Sequence, residues 1–224
     1  MMGWNMTSTR SLAACSTLVF LALTASLPGA TAQDSQRFAP IPLDKLDPQQ
    51  KAWADEIAVP PRNGKHTNPP YRAYIRNPEL AKRLSPLSDY LRWKTSLPPR
   101  LSEMAILITA REWTAQYEWF AHYPLALKGG LDPKVADAIA ADQRPAHMKP
   151  DETALYDLAT ELYRNKAVSN ATFQAAVAQF GEAGIMDAIA IMGYYDLVSM
   201  TLITMQAAPP NDSVKPLAPL ARKP

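Results

Sequence analysis

Residues 97–130 read LPPRLSEMAILITAREWTAQYEWFAHYPLALKGG, and this run decides the fold. Pro98-Pro99 opens it as a helix start, because proline fits the first helical turn, where its missing N–H has no partner to lose. Leu101, Met104, Ala105 and Ile108 keep helical spacing, and Gly129-Gly130 ends the pattern. The run predicts helix, and no stretch elsewhere sustains the period-two alternation of a strand.

The same reading extends outward in both directions. Upstream, Pro48 sits at the first position of a short helix over residues 47–58, with Ala52, Trp53 and Ile57 as its apolar side and Pro60-Pro61 as its stop. A loop follows through Asn63-Gly64-Lys65 and Pro69-Pro70. Pro78 begins a helix to about Thr95 that places Leu80, Leu84, Leu87 and Leu91 on one face. Downstream, Asp132-Pro133 starts a helix to about Ala141, Pro150-Asp151 another to about Asn165, and Ser169 caps a third that ends near Gly181. The last helix, residues 185–206, is apolar nearly all round, so it belongs in the core or in a subunit interface. The expectation is an all-α single domain over residues 33–206, followed by a disordered, Pro-rich tail over residues 207–224.

Residues 1–32 read as a signal peptide. Arg10 is the only charged residue before Asp34, the apolar run 12–27 is short for a membrane span, and Ala30-Thr31-Ala32 is the small-x-small pattern of a cleavage site. Cleavage there predicts an exported chain, periplasmic or secreted, without stable membrane insertion. It also removes Cys15, the sole cysteine, so the mature chain can form no disulfide and no thiolate metal site. The 23 Lys plus Arg against 21 Asp plus Glu give a formal charge of +2, and the basic residues are scattered. That pattern excludes a nucleic-acid footprint and points to a small-molecule partner.

Three histidines are available for chemistry. His66 and His147 fall in Pro-flanked loops and read as solvated surface groups. His122 differs: Glu118 precedes it by one turn, placing their Cβ atoms roughly 6 Å apart on one helix face, and Tyr117, Trp119, Phe120 and Tyr123 surround it. A carboxylate beside an imidazole among aromatic walls is an acid/base arrangement. The same spacing equally describes a surface ion pair with Trp119 and Phe120 in the core. A zinc site would need a third ligand from elsewhere, so no metal is expected. GxSxG, HExxH, GxGxxG and P-loop patterns are all absent.

The ordered appearance of Arg100-x-x-Glu103, Tyr117-Glu118-Trp119 and His122 resembles the carboxymuconolactone decarboxylase family, which includes alkyl hydroperoxidase D, over residues 80–205. In the peroxidase branch the resembling motif is Glu-x11-Cys-x2-Cys-x3-His, and its positions fall here on Glu103, Ala115, Glu118 and His122. Both thiols are missing, and a methyl and a carboxylate cannot cycle through sulfenic acid and disulfide. The resemblance then implies a cofactor-free enzyme, a decarboxylase, isomerase or other lyase acting on a small carboxylated or lactone compound. It assigns His122 as general acid/base, Glu118 as the residue that orients and charges it, and Glu103 as a relay. Arg100 or Arg111 would anchor a substrate carboxylate, and Tyr117, Trp119 and Tyr123 would wall the pocket. It also implies a homotrimer or homohexamer. The alternative is a non-catalytic periplasmic binding or assembly protein that keeps the fold.

One geometric condition follows. A straight helix over residues 99–128 would hold Glu103 and Glu118 about 22 Å apart, so the arrangement requires a break. Trp113-Thr114 is the expected place, with Thr114 as N-cap of the second helix.

Overall fold

The computed structural model describes residues 37–220; the expected signal segment 1–32 lies outside them. Among the described residues the regular structure is entirely helical, in the order α1 (Pro48–Ala58), α2 (Tyr71–Tyr74), α3 (Pro78–Trp93), α4 (Pro99–Trp113), α5 (Gln116–Lys128), α6 (Pro133–Ala140), α7 (Pro150–Asn165) and α8 (Asn170–Thr204). A single 3-10 turn over Leu43–Lys45 precedes them.

Local chemistry sets most of the helix starts. Asp47 and Gln50 form a capping box, the carboxylate accepting the Gln50 N–H at 2.8 Å and the Asp47 N–H donating to Gln50 Oε1 at 3.1 Å. Asn77, Asp132 and Ser169 cap α3, α6 and α8 through their side chains, and proline occupies the first turn of α1, α3, α4, α6 and α7. The ends are less conventional. Thr114, Asp142, Lys166 and Gln206 carry positive φ after α4, α6, α7 and α8, positions where glycine is the ordinary choice.

Helix α4 is the centre of the bundle. Leu101, Met104 and every residue from Ala105 to Arg111 are buried, because α5, α6, α7 and α8 pack around it. Its all-round burial explains a sequence without a polar face. Helix α8 is long and apolar enough to cross a membrane by length and composition, yet it packs on α3, α4, α5 and α7 and buries Ile185, Ala188, Ile191, Tyr195, Val198 and Leu202. The division expected near Gly181 is present: Gly181 adopts the non-helical φ 63° and ψ 174°, so α8 is two helical stretches joined across a kink.

Three expectations are corrected. On α3, Leu80 and Leu87 are each 44% exposed; the buried face is Ala81, Ser85, Ser88 and Leu91. Small residues let α1 approach closely, and Trp53 of α1 fills the seam, donating from Nε1 to Ser85 Oγ at 3.0 Å. Thr114 is not the N-cap of α5. It is the left-handed C-cap of α4 at φ 51°, ψ 40°: its N–H donates to Arg111 O at 3.0 Å and the Ala115 N–H to Ala110 O at 2.8 Å, which is the Schellman arrangement. Finally, residues 207–220 are irregular but docked. Leu217 is buried in the main core, and the Gln116 side-chain amide pairs with its backbone, donating to Leu217 O at 2.8 Å and accepting the Leu217 N–H at 2.9 Å. Composition concealed this because one buried leucine and an amide pairing carry the contact, not a periodic face.

The break after Trp113 folds α5 back along α4. At the far end of this hairpin Gly129 lies against the start of α4, so close that a Cβ there would meet Arg100 N at 3.0 Å and the Pro99 carbonyl carbon at 3.1 Å. Tight closure at both ends brings the first turns of α4 beside the later turns of α5.

Candidate active site

Helix α4 contributes Glu103 and α5 contributes Glu118 and His122. The imidazole is held from behind: its Nδ1 lies 2.6 Å from Glu103 Oε2, a short contact typical of a charge-assisted bond. On the opposite side of the ring, Nε2 lies 3.0 Å from Glu118 Oε1. That oxygen is buried with no hydrogen-bond partner, so it acts on the ring chiefly as a charge. His122 and Glu118 are 5% and 3% exposed, and desolvation strengthens each of these interactions.

Burial by itself disfavours a charged imidazole. The charges of Glu118 and Glu103 and their hydrogen-bonding capacity outweigh it, and the His122 pKa is pushed up to about 9. Both carboxylates thus favour the protonated ring. Arg92 of α3 completes the cluster, donating from Nη1 to Tyr195 Oη at 3.1 Å, with Nη2 3.8 Å from Glu103 Oε1. Nη1 also lies 3.4 Å from His122 Nε2. With that nitrogen protonated, the contact is one of like charges, tolerated because two carboxylates face two cations. Tyr195 packs edge-on to the His122 ring at 5.1 Å between centroids, and burial, followed by the nearby carboxylates, raises its phenol pKa against the pull of Arg92.

Above the cluster opens a cavity of about 320 Å³. Glu118, His122 and Arg92 lie at one part of its wall, and Tyr71, Trp93, Tyr117, Tyr194 and Tyr195 supply aromatic surface. Arg62, donating to Ser85 O at 3.2 Å and to Ser88 Oγ at 3.3 Å and paired with Asp89, ties the preceding loop to α3 over this space. An apolar cavity of about 150 Å³ accommodates benzene, so the volume suits one substituted ring. Among the described residues no group of three His, Cys, Asp or Glu is disposed to hold a metal ion.

The structure brings together His122, Glu118, Glu103 and Tyr117, and separates the other residues singled out from the sequence. The orienting part that the sequence suggested for Glu118 falls to Glu103, which holds Nδ1, whereas Glu118 charges the ring and lines the cavity. Trp119, 2% exposed, points into the core against Tyr123 at 5.6 Å, and the Tyr123 hydroxyl donates to Asp137 at 3.0 Å. Arg100 is consumed by Asp151 at 2.6 Å and by Glu152. Arg111 donates to Ala218 O at 2.6 Å, away from the cavity. Sequence reasoning missed Arg92, Trp93, Tyr71, Arg62 and the ring contacts of Tyr194 and Tyr195. For the last two a signal existed, a tyrosine pair in the apolar stretch after Gly181; Arg92 at the end of an amphipathic helix offered none.

The solved structures similar to this chain include the following three. An uncharacterized peroxidase-related protein with the alkylhydroperoxidase AhpD core from Ralstonia eutropha JMP134 aligns with a TM-score of 0.66 and 20% identity over 80% of this chain and 94% of that one. An uncharacterized peroxidase-related protein from Silicibacter sp. TM1040 aligns at 0.64 and 14% over 81% and 97%. A protein of unknown function from Agrobacterium tumefaciens, related by name to AhpD antioxidant defence, aligns at 0.55 and 14% over 62% and 96%. No family model matches the chain, and no curated protein does. The fold is therefore AhpD-like, all-α, and at these identities the likeness speaks to the fold alone.

Proposed function

We propose that the chain is a cofactor-free acid/base enzyme acting on a small conjugated carboxylate or lactone, by decarboxylation, isomerisation or a related lyase step. The observation that carries this reading is a buried histidine held between two carboxylates at the wall of an aromatic-lined cavity. Glu103 fixes the ring through Nδ1, which directs the Nε2 proton toward the cavity. Arg92, with the Tyr195 hydroxyl, offers the cation and the donor that would hold a substrate carboxylate or a developing enolate oxygen.

In a decarboxylation the bond from carbon to the carboxylate breaks and its electron pair moves into the conjugated carbonyl. Nε2–H then protonates the resulting dienolate at carbon, and the neutral imidazole regains its proton from solvent. In an isomerisation Glu118 takes a proton beside the carbonyl, Nε2–H returns one at the far end of the conjugated system, and the Glu118 proton then passes to the neutral imidazole 3.0 Å away, restoring both groups. Neither route needs a thiol, which suits a chain whose Ala115 and Glu118 stand where the resembling peroxidase motif carries cysteines.

We also read the chain as exported and as a homotrimer or homohexamer. Met186, Ile189, Met200 and Ile203 form an exposed apolar side of α8, between 38% and 61% accessible, which self-association would cover. The functional test is a panel of unsaturated lactones and conjugated acids, followed by loss of ultraviolet absorbance and by release of carbon dioxide. Turnover abolished by His122→Ala supports the reading; a panel turned over equally by His122→Ala sinks it.

A further inference from the structure

We propose that residues 214–219 act as a positioning strap for the site, bridging α4 and α5 across the turn at Thr114-Ala115 and so setting how closely His122 approaches Glu103. The two helices meet at a turn that lacks glycine. Thr114 sits at φ 51°, a left-handed conformation that a β-branched side chain adopts at a cost, so the turn alone is a poor guarantor of the angle between the helices.

The strap holds both sides of this turn with consecutive residues. On the α4 side, Arg111 Nη1 donates to Ala218 O at 2.6 Å. On the α5 side, Gln116, the first residue of the helix, donates to Leu217 O at 2.8 Å and accepts the Leu217 N–H at 2.9 Å. A side-chain amide thus copies the paired bonds of a β-bridge. Leu217, 4% exposed, anchors the strap in the main core, where Val214 also packs. Arg111 is itself 5% exposed, so release of the strap would deprive a buried guanidinium of a charge-assisted acceptor.

The consequence reaches the site through helix geometry. Glu103 lies on α4, and Glu118 and His122 lie on α5, two and six positions after Gln116. The 2.6 Å separation of His122 Nδ1 and Glu103 Oε2 is short enough that a displacement of about 1 Å ends the hydrogen bond. Leu217 and Gln116 touch neither the ring nor the cavity; they act through the tilt of α5.

The test compares full-length chains by nuclear magnetic resonance of His122. Gln116→Ala and Leu217→Asp are read against Ile139→Val, a core substitution on α6 that costs stability without removing any of the strap's hydrogen bonds. With retained helical circular dichroism, the strap variants are expected to broaden or lose the Nδ1 proton resonance. They should also lower the His122 titration midpoint by about one unit, a tenfold loss of proton affinity. Ile139→Val should leave both unchanged. An unaltered resonance and midpoint in Gln116→Ala overturns the proposal, as does an equal change in Ile139→Val. If Leu217→Asp does not fold, Gln116→Ala alone decides. Because the readout is the ring and not turnover, the outcome is independent of whether the proposed lyase reaction occurs.

Discussion

Glu103 and His122 are 19 residues apart in sequence, and their Oε2 and Nδ1 atoms are 2.6 Å apart in the fold. The hairpin of α4 and α5 makes that contact, and the contact decides which carboxylate orients the ring and which lines the cavity.

The first prediction concerns pH. With a folded pKa of about 9 against roughly 6.5 in an unfolded chain, His122 binds its proton more tightly when folded. Its contribution to stability is fully present below about pH 6.5 and is lost as pH rises through about 9. Urea unfolding from pH 6 to 10 should show this decline, and Glu103→Gln should flatten it while lowering the His122 midpoint seen by resonance titration. A His122 midpoint near the free value in the unaltered protein would refute the imidazolium assignment.

The turn at Thr114 supplies a second. A β-branched residue at φ 51° is penalised by about 1–2 kcal/mol, while glycine adds about 0.5–1 kcal/mol of chain entropy to be lost on folding. Thr114→Gly should therefore stabilise the chain by roughly 0.5 kcal/mol, visible as a higher urea midpoint with unchanged slope. Destabilisation would mean that the Thr114 side chain makes a contribution beyond its backbone role.

Two arginines should separate cleanly. Arg100 faces Asp151 and the buried Glu152, so Arg100→Ala strands a carboxylate and should cost about 3 kcal/mol without moving the His122 titration. Arg92→Met removes a cation beside the ring and should raise the His122 midpoint. It should also cut turnover of a carboxylated substrate about a hundredfold. Reversal of these phenotypes would return Arg100 to the site.

Assembly is checked by light scattering at micromolar concentration. The proposed homotrimer or homohexamer would use the apolar side of α8, and the pair Met200→Glu with Ile203→Glu should then reduce it to monomer. A monomeric unaltered protein would assign that face to something other than self-association.

The helices were legible because their causes are local. Proline in the first turn, Asp47, Asn77, Asp132 and Ser169 as caps, and unbroken apolar spacing all act within a few residues, so α1, α3, α6 and α7 start where the chain says they should. Burial was less legible. Leu80 and Leu87 have the right spacing for a core face, but the tight seam with α1 favours Ala81, Ser85 and Ser88. The docked segment at Leu217 was hidden for a similar reason, since its partner is the amide of Gln116 a hundred residues earlier.

By itself, then, the sequence determined that the protein is all-α, that thiol chemistry has no residues to run on outside Cys15, and that Glu118 and His122 share a helix face. Only the tertiary structure decided that Glu103 closes on Nδ1, that Arg92 and Tyr195 complete the cluster, and that Arg100, Arg111, Trp119 and Tyr123 do not. Helix spacing is a property of the chain's own backbone. Which face meets which is settled by how α3, α4, α5 and α8 pack together, and side chains brought in from separate helices leave no common period to read.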